Sequence, residues 1–95
     1  MPAYIIAEVE VTNPAGYEAY RPLAGASIAQ YGGRFLVRGG KAERLEGSAD
    51  PARVVVIEFA DAAAAKRWYH SPEYQEALKI RLANSTGRVL LVEGA

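Results

Sequence analysis

Apolar residues recur along this chain with two periods, and the order of those periods lays out a fold. From Ala3 to Val11 the alternation is that of an extended strand: Ile5, Ala7, Val9 and Val11 share one side, and Tyr4, Ile6, Glu8 and Glu10 share the other. The first side is wholly apolar; the second begins apolar and turns acidic. Thr12-Asn13-Pro14 then reads as a helix start, because Asn13 can accept a hydrogen bond from the free N–H groups and Pro14 loses nothing at the first helical position. The helix is predicted to run to about residue 31, with Tyr17, Tyr20, Ala24, Ile28 and Tyr31 forming one stripe. Pro22 and Gly25 are poor interior residues, the proline costing about 3 kcal/mol in a regular helix, so a break is expected at Arg21 and Pro22. Gly32 is the natural left-handed stop.

Two glycine pairs, Gly32-Gly33 and Gly39-Gly40, bracket a second strand over 34–38 that carries an arginine at each end. Simple alternation puts Phe35 and Val37 on one side and Arg34, Leu36 and Arg38 on the other. Residues 41–46 read as a continuation in extended form, followed by a turn through Gly47-Ser48-Ala49-Asp50-Pro51 and a third strand, Arg53–Phe59. In that strand Val55, Ile57 and Phe59 face one way, and Val54, Val56 and Glu58 the other. The short turn favours pairing 41–46 with the third strand, whereas pairing 34–38 with it requires a long loop; alternation leaves both registers open. Asp61 caps an alanine-rich helix ending near Trp68 and Tyr69. Ser71-Pro72-Glu73 starts another, with Tyr74, Leu78, Arg81 and Leu82 at helical spacing. Residues 84–87 end it, and 88–93 form the last strand.

The order β-α-β-β-α-β predicts an α+β, ferredoxin-like domain over residues 1–95: a four-stranded antiparallel sheet with the helices on one face. The opposite face then carries Tyr4, Ile6, Leu36, Val54 and Val56. That is an unusually large apolar patch for a monomer. Burying even ~600 Å² of it is worth on the order of 15 kcal/mol gross. A second copy of the same sheet is the simplest cover, so a two-fold homodimer with its sheets packed face to face is predicted.

Composition narrows the possibilities. With 95 residues there is one modest core. The absence of cysteine removes disulfides and thiolate metal sites. Eleven basic and eleven acidic residues balance to a formal net charge of +0, which argues against nucleic-acid and anionic-membrane binding. No signal-peptide pattern and no run of ~18 apolar residues is present, so a soluble, cytoplasmic protein is expected.

Candidate chemistry is sparse. Glu8, Glu10, Glu58, Arg34 and Arg38 are the charged residues assigned to the face away from the helices. They are either a polar pocket, in which arginine holds a carboxylate or enolate oxygen and glutamate takes a proton, or strand-end ion pairs. His70, the only histidine, lies at the joint between two helical pieces as an acid/base candidate or a surface residue. With no second histidine and no carboxylate at ligand spacing, neither a metal nor another cofactor is called for. Trp68, Tyr69 and Tyr74 are core residues by spacing, and Tyr74 is the one best suited to line a pocket. Arg81 either binds an anion or pairs with Glu73 or a sheet carboxylate. Ser71 is a helix cap, not a nucleophile, and the glycine pairs form no phosphate loop.

Several stretches together resemble the family catalogued as domain of unknown function 1330. They are the run from Tyr31 to Gly40, Trp68-Tyr69, Ser71-Pro72-Glu73-Tyr74, Arg81 and Leu91-Val92-Glu93-Gly94, with the opening Pro2-Ala3-Tyr4 and Glu8-Val9-Glu10-Val11. The resemblance covers nearly the whole chain and implies the dimeric α+β barrel superfamily. That group includes small cofactor-free monooxygenases, muconolactone isomerase-like enzymes and stress-response barrels. Two functions follow as expectations: a cofactor-independent enzyme acting on a small metabolite in the cleft, or a non-catalytic small-ligand or stress-related module. The candidates are Glu58, Glu8 and His70 for catalysis, and Arg34, Arg38, Tyr74 and Arg81 for the ligand.

Overall fold

A computed structural model of the chain describes residues 1–50 and 52–95. Its elements are β1 (Ala3–Val11), α1 (Pro14–Tyr17), α2 (Tyr20–Gln30), β2 (Arg34–Gly40), β3 (Arg53–Phe59), α3 (Ala62–Tyr69), α4 (Pro72–Asn84) and β4 (Ser85–Glu93). The sheet order is β2-β3-β1-β4 with every neighbouring pair antiparallel, which is the ferredoxin-like arrangement.

The caps hold where local chemistry specifies them. The side chain of Asn13 accepts from the Gly16 N–H, Asp61 from Ala64, and Ser71 from Tyr74. Gly32 has φ +80° and ends α2. The helix break lies upstream of the expected Arg21 and Pro22, between Tyr17 and Tyr20. Its cause is still Pro22, whose ring excludes a helical carbonyl four residues back, at Glu18. Breaking there leaves Pro22 in the first turn of α2, where no N–H is needed. β4 also begins earlier than expected. Ser85, Thr86 and Gly87 pair with Val11, Glu10 and Val9, so no loop separates α4 from the strand.

The larger correction concerns β2. Residues 41–46 form no strand; β2 itself pairs with β3, and a long loop joins them. Residues 41–50 alternate poorly and are charged, and Leu45 stays 87% exposed. Arg44 closes the loop on itself through the Gly47 carbonyl at 3.1 Å and Asp50 at 3.7 Å. Of the expected turn, Pro51 lies outside the described residues. The β2–β3 ladder shifts register twice, between Phe35 and Val37 and between Arg38 and Gly40. These bulges reverse the pleat. Val37 therefore joins Val56 on the open face. Arg38, assigned by simple alternation to that face, instead pairs with Val55 on the helix side.

The helices cover the side of the sheet that carries Ala3, Ile5, Ala7, Val9, Ile57 and Phe59, all buried. Trp68 anchors this core, 4.1 Å from the Tyr74 ring and 5.5 Å from Phe59. Its indole N–H donates to Ser27 Oγ at 3.0 Å, and Ser27 in turn donates to the Ala24 carbonyl. This satisfies the one polar atom that burial of the indole strands. The molecule measures 34 × 33 × 16 Å, two layers thick, so the other sheet face has no cover among the described residues. On that face Val37, Val56, Ile6 and Leu90 form the central row. Ion pairs flank the row, Arg34 to Glu58 at 2.7 Å and Arg88 to Glu8 at 2.8 Å.

Candidate functional site

The register of the sheet divides the charged candidates between two places. Arg34 Nε donates to Glu58 and Arg88 Nε donates to Glu8 on the open face, so both glutamates carry an arginine partner there. Neither carboxylate lines a cavity on the helix side. His70 caps the end of α3, exposed, with its ring edge-on to Tyr69 at 5.3 Å. It borders a shallow groove with Lys66, Tyr69 and Leu91 that contains none of the other candidates.

Arg38, Tyr74 and Arg81 come together instead around a cavity of about 270 Å³ between the sheet and the helices. Its floor is the helix side of the sheet, from Ile5, Ala7 and Val9 across to Val55 and Ile57. Its wall is α1, α2 and α4, which contribute Tyr17, Tyr20, Arg21, Tyr74 and Arg81. Arg53 and Arg38 reach it from β3 and β2. Four arginines thus line the space, and none of the lining residues is an aspartate or glutamate.

Each arginine is placed by a specific local device. Arg38 arrives through the bulge in β2 and stacks 4.3 Å above the Phe35 ring at the mouth. Arg53 begins β3 opposite Val9 and lies across Gly39, where an added Cβ would sit 2.4 Å from its guanidinium carbon. Gly39 also has φ +71°, so this position needs glycine for conformation and for space alike. Arg21 lies 5.8 Å over the Tyr17 ring and 3.7 Å from Glu18. Arg81, in the last turn of α4, is only 6% exposed. The Nε atoms of Arg53 and Arg81 are shut off from solvent and have no acceptor among the described residues.

The tyrosines supply neutral donors. The Tyr20 and Tyr74 hydroxyls are hydrogen-bonded at 2.9 Å. Burial, then the neighbouring Tyr74, push the Tyr20 phenol well above its usual pKa. Burial also raises Tyr17, against the pull of Arg53, Arg81 and Arg21. For Arg81 burial works to lower the pKa, but the adjoining Tyr74 and Tyr20 outweigh it and the net shift is upward. Part of that support is a hydrogen bond to the Tyr74 hydroxyl, a neutral partner that brings no counter-charge to the buried guanidinium. The cavity is therefore a cationic site with an apolar, aromatic body and no histidine, lysine or carboxylate in its lining.

Arg53, Arg21, Tyr17 and Tyr20 were not among the residues singled out from the sequence as ligand-binding. Arg53 carried a usable signal, since it shares the alternation of Val55, Ile57 and Phe59.

The sequence profile described as domain of unknown function (DUF1330) matches residues 2–95. The chain belongs to this family. No functionally curated protein matches it. Among solved structures, this DUF1330 domain is similar to the RPA0582 protein of unknown function from Rhodopseudomonas palustris, with 21% identity and TM-score 0.82 over 99% of this chain and 82% of that one. It is similar to SnoaB, a cofactor-independent oxygenase from Streptomyces nogalater, with 21% identity and TM-score 0.71 over 99% and 93%. A dimeric ferredoxin-like protein of unknown function from Jannaschia sp. CCS1 shares 15% identity, with TM-score 0.70 over 100% and 99%. At these identities the likeness establishes the DUF1330 chain's fold and leaves its chemistry to the site.

Proposed function

We propose that this protein is a cytoplasmic homodimer, joined through its open sheet faces, in which each protomer binds a small organic anion in the arginine-lined cavity. The observation that carries this reading is four arginines around one cavity without a single lining carboxylate. A buried cation such as Arg81 requires a counter-charge, and here the ligand supplies it. An apolar cavity of roughly 150 Å³ accommodates benzene, so about 270 Å³ holds a ring with substituents. Phe35, Trp68 and Tyr74 suit a flat body.

The site also favours a particular kind of enzyme. No lining residue takes up a proton at neutral pH, while arginines and tyrosine hydroxyls stabilise an oxyanion. A phenol or enol held there ionises to the solvent and becomes electron-rich without help from a cofactor. The monooxygenase- or isomerase-like reading rests on this, and the fold shared with a cofactor-independent oxygenase is in keeping with it. Binding without turnover uses the same groups and is the second reading. The dimer rests on the apolar open face, where Leu36, Val37, Leu90 and Val92 are each more than a third exposed.

Calorimetry with 2-hydroxybenzoate and its neutral amide tests the site. The anion is expected to bind, the amide is not, and Arg38→Ala weakens the anion while Glu58→Ala does not. Equal binding of both compounds refutes the site. Product formation under air separates enzyme from binding module. Light scattering across a dilution series is expected to show a persistent dimer; a stable monomer removes the face-to-face arrangement.

A further inference from the structure

The four arginines fall into two pairs with different needs. Arg21 and Arg38 stand exposed at the mouth, the first beside Glu18 and the second on the Phe35 face, where water and these neighbours satisfy them. Arg53 and Arg81 form the inner pair. Neither is paired with a carboxylate among the described residues, and they reach the cavity from different elements, the start of β3 and the end of α4. Both line the same cavity. One carboxylate engages one guanidinium in a two-pronged pair. A single carboxylate in a two-pronged pair with Arg81 therefore leaves the Arg53 guanidinium without a counter-charge, and the reverse.

Resting on the anion reading above, we infer that the natural ligand of this cavity is a dianion, a dicarboxylate on a ring or unsaturated body, with one carboxylate for each inner arginine. The mouth pair adds positive field that favours the doubly charged form and draws it in. The cavity volume admits a six-membered ring with two such groups and little more.

Benzoate, its amide, the three benzene dicarboxylates and inorganic phosphate test this on the intact protein by calorimetry. At least one dicarboxylate is expected to bind about tenfold or more tightly than benzoate, the worth of one further charge-assisted pair. Arg53→Gln and Arg81→Gln are each expected to bring that ratio close to one, while Arg34→Gln on the open face leaves it unchanged. Equal affinity of benzoate and all three dicarboxylates overturns the dianion and leaves the anion site standing. Binding of the amide as tight as benzoate, or of none of the probes, overturns both. The ratio in the unmutated protein decides the matter even if a variant fails to fold.

Discussion

Replacing Arg81 with methionine is expected to make the unliganded protein more stable and to abolish anion binding. Arg81 is 6% exposed, its Nε has no acceptor among the described residues, and no carboxylate shares its cavity. Removing a guanidinium from water costs several kcal/mol, and here nothing of opposite charge returns that cost. Methionine keeps an unbranched chain of similar reach and a similar helix propensity, so α4 and the packing against Tyr74 persist. Exchanges of buried charge for apolar side chains gain about 1–4 kcal/mol when the packing is retained. The hydrogen bond to the Tyr74 hydroxyl offsets part of the cost and places this case at about 1–2 kcal/mol. For a domain of this size that corresponds to a rise in Tm of roughly 5–15 °C. Urea unfolding followed by Trp68 fluorescence, at equal protomer concentration, measures it. Adding a cavity-binding anion should then narrow the gap, because only the unmutated protein gains from it. A variant destabilised by about 1 kcal/mol or more, or one that still binds the anion, refutes the reasoning.

Gly39→Ala is expected to lose anion affinity by about tenfold through the displaced Arg53, with a strain of ~1 kcal/mol from φ +71°; binding that survives intact shows that Arg53 does not hold the ligand. Ser71→Ala removes the cap on α4 and the bond to the Trp68 carbonyl, and should cost about 1 kcal/mol in urea unfolding without altering ligand selectivity. Stability should also fall as pH rises past about 10. The raised phenols of Tyr20 and Tyr17 keep their protons in the folded state while the unfolded chain releases them, so their contribution is complete below the ordinary tyrosine pKa and lost above it. Tyr20→Phe should flatten that slope, and urea midpoints that rise over the same interval contradict the assignment.

Much of the fold was legible because most elements follow their periods without interruption. β1, β3, α3 and the start of α4 stand where alternation, the Asp61 and Ser71 caps and Pro72 put them. The Pro22 break was legible in cause but displaced by one turn, because proline acts on the carbonyl behind it. β2 was misread for a different reason. Alternation assumes one residue per pleat step, and the ladder departs from that at Leu36 and again at Gly39. No local pattern distinguishes such a strand from a regular one; the bulges exist because β3 is its partner. The site suffered accordingly. Arg81 and Tyr74 were legible through helical spacing, whereas Arg38 was placed on the wrong face. Glu8 and Glu58 were grouped with the arginines, but the ion pairs that occupy them join residues 80 and 24 positions apart.

The bulge at Leu36 has a meaning for how such a domain diversifies. It works as a one-residue gear between the two surfaces of the sheet. If the bulge were lost with Leu36 retained in the ladder, the regular pleat would carry Arg38 out of the cavity to the open face and turn Val37 inward, whereas deleting Leu36 itself would leave both where they are. Absorbing the bulge into the ladder would then exchange a cationic vestibule for an apolar one, with no change in the side chains themselves. Among relatives, ligand charge can therefore drift through the presence or absence of this bulge as readily as through point substitution. An alignment drawn without a gap there would compare residues that face opposite worlds.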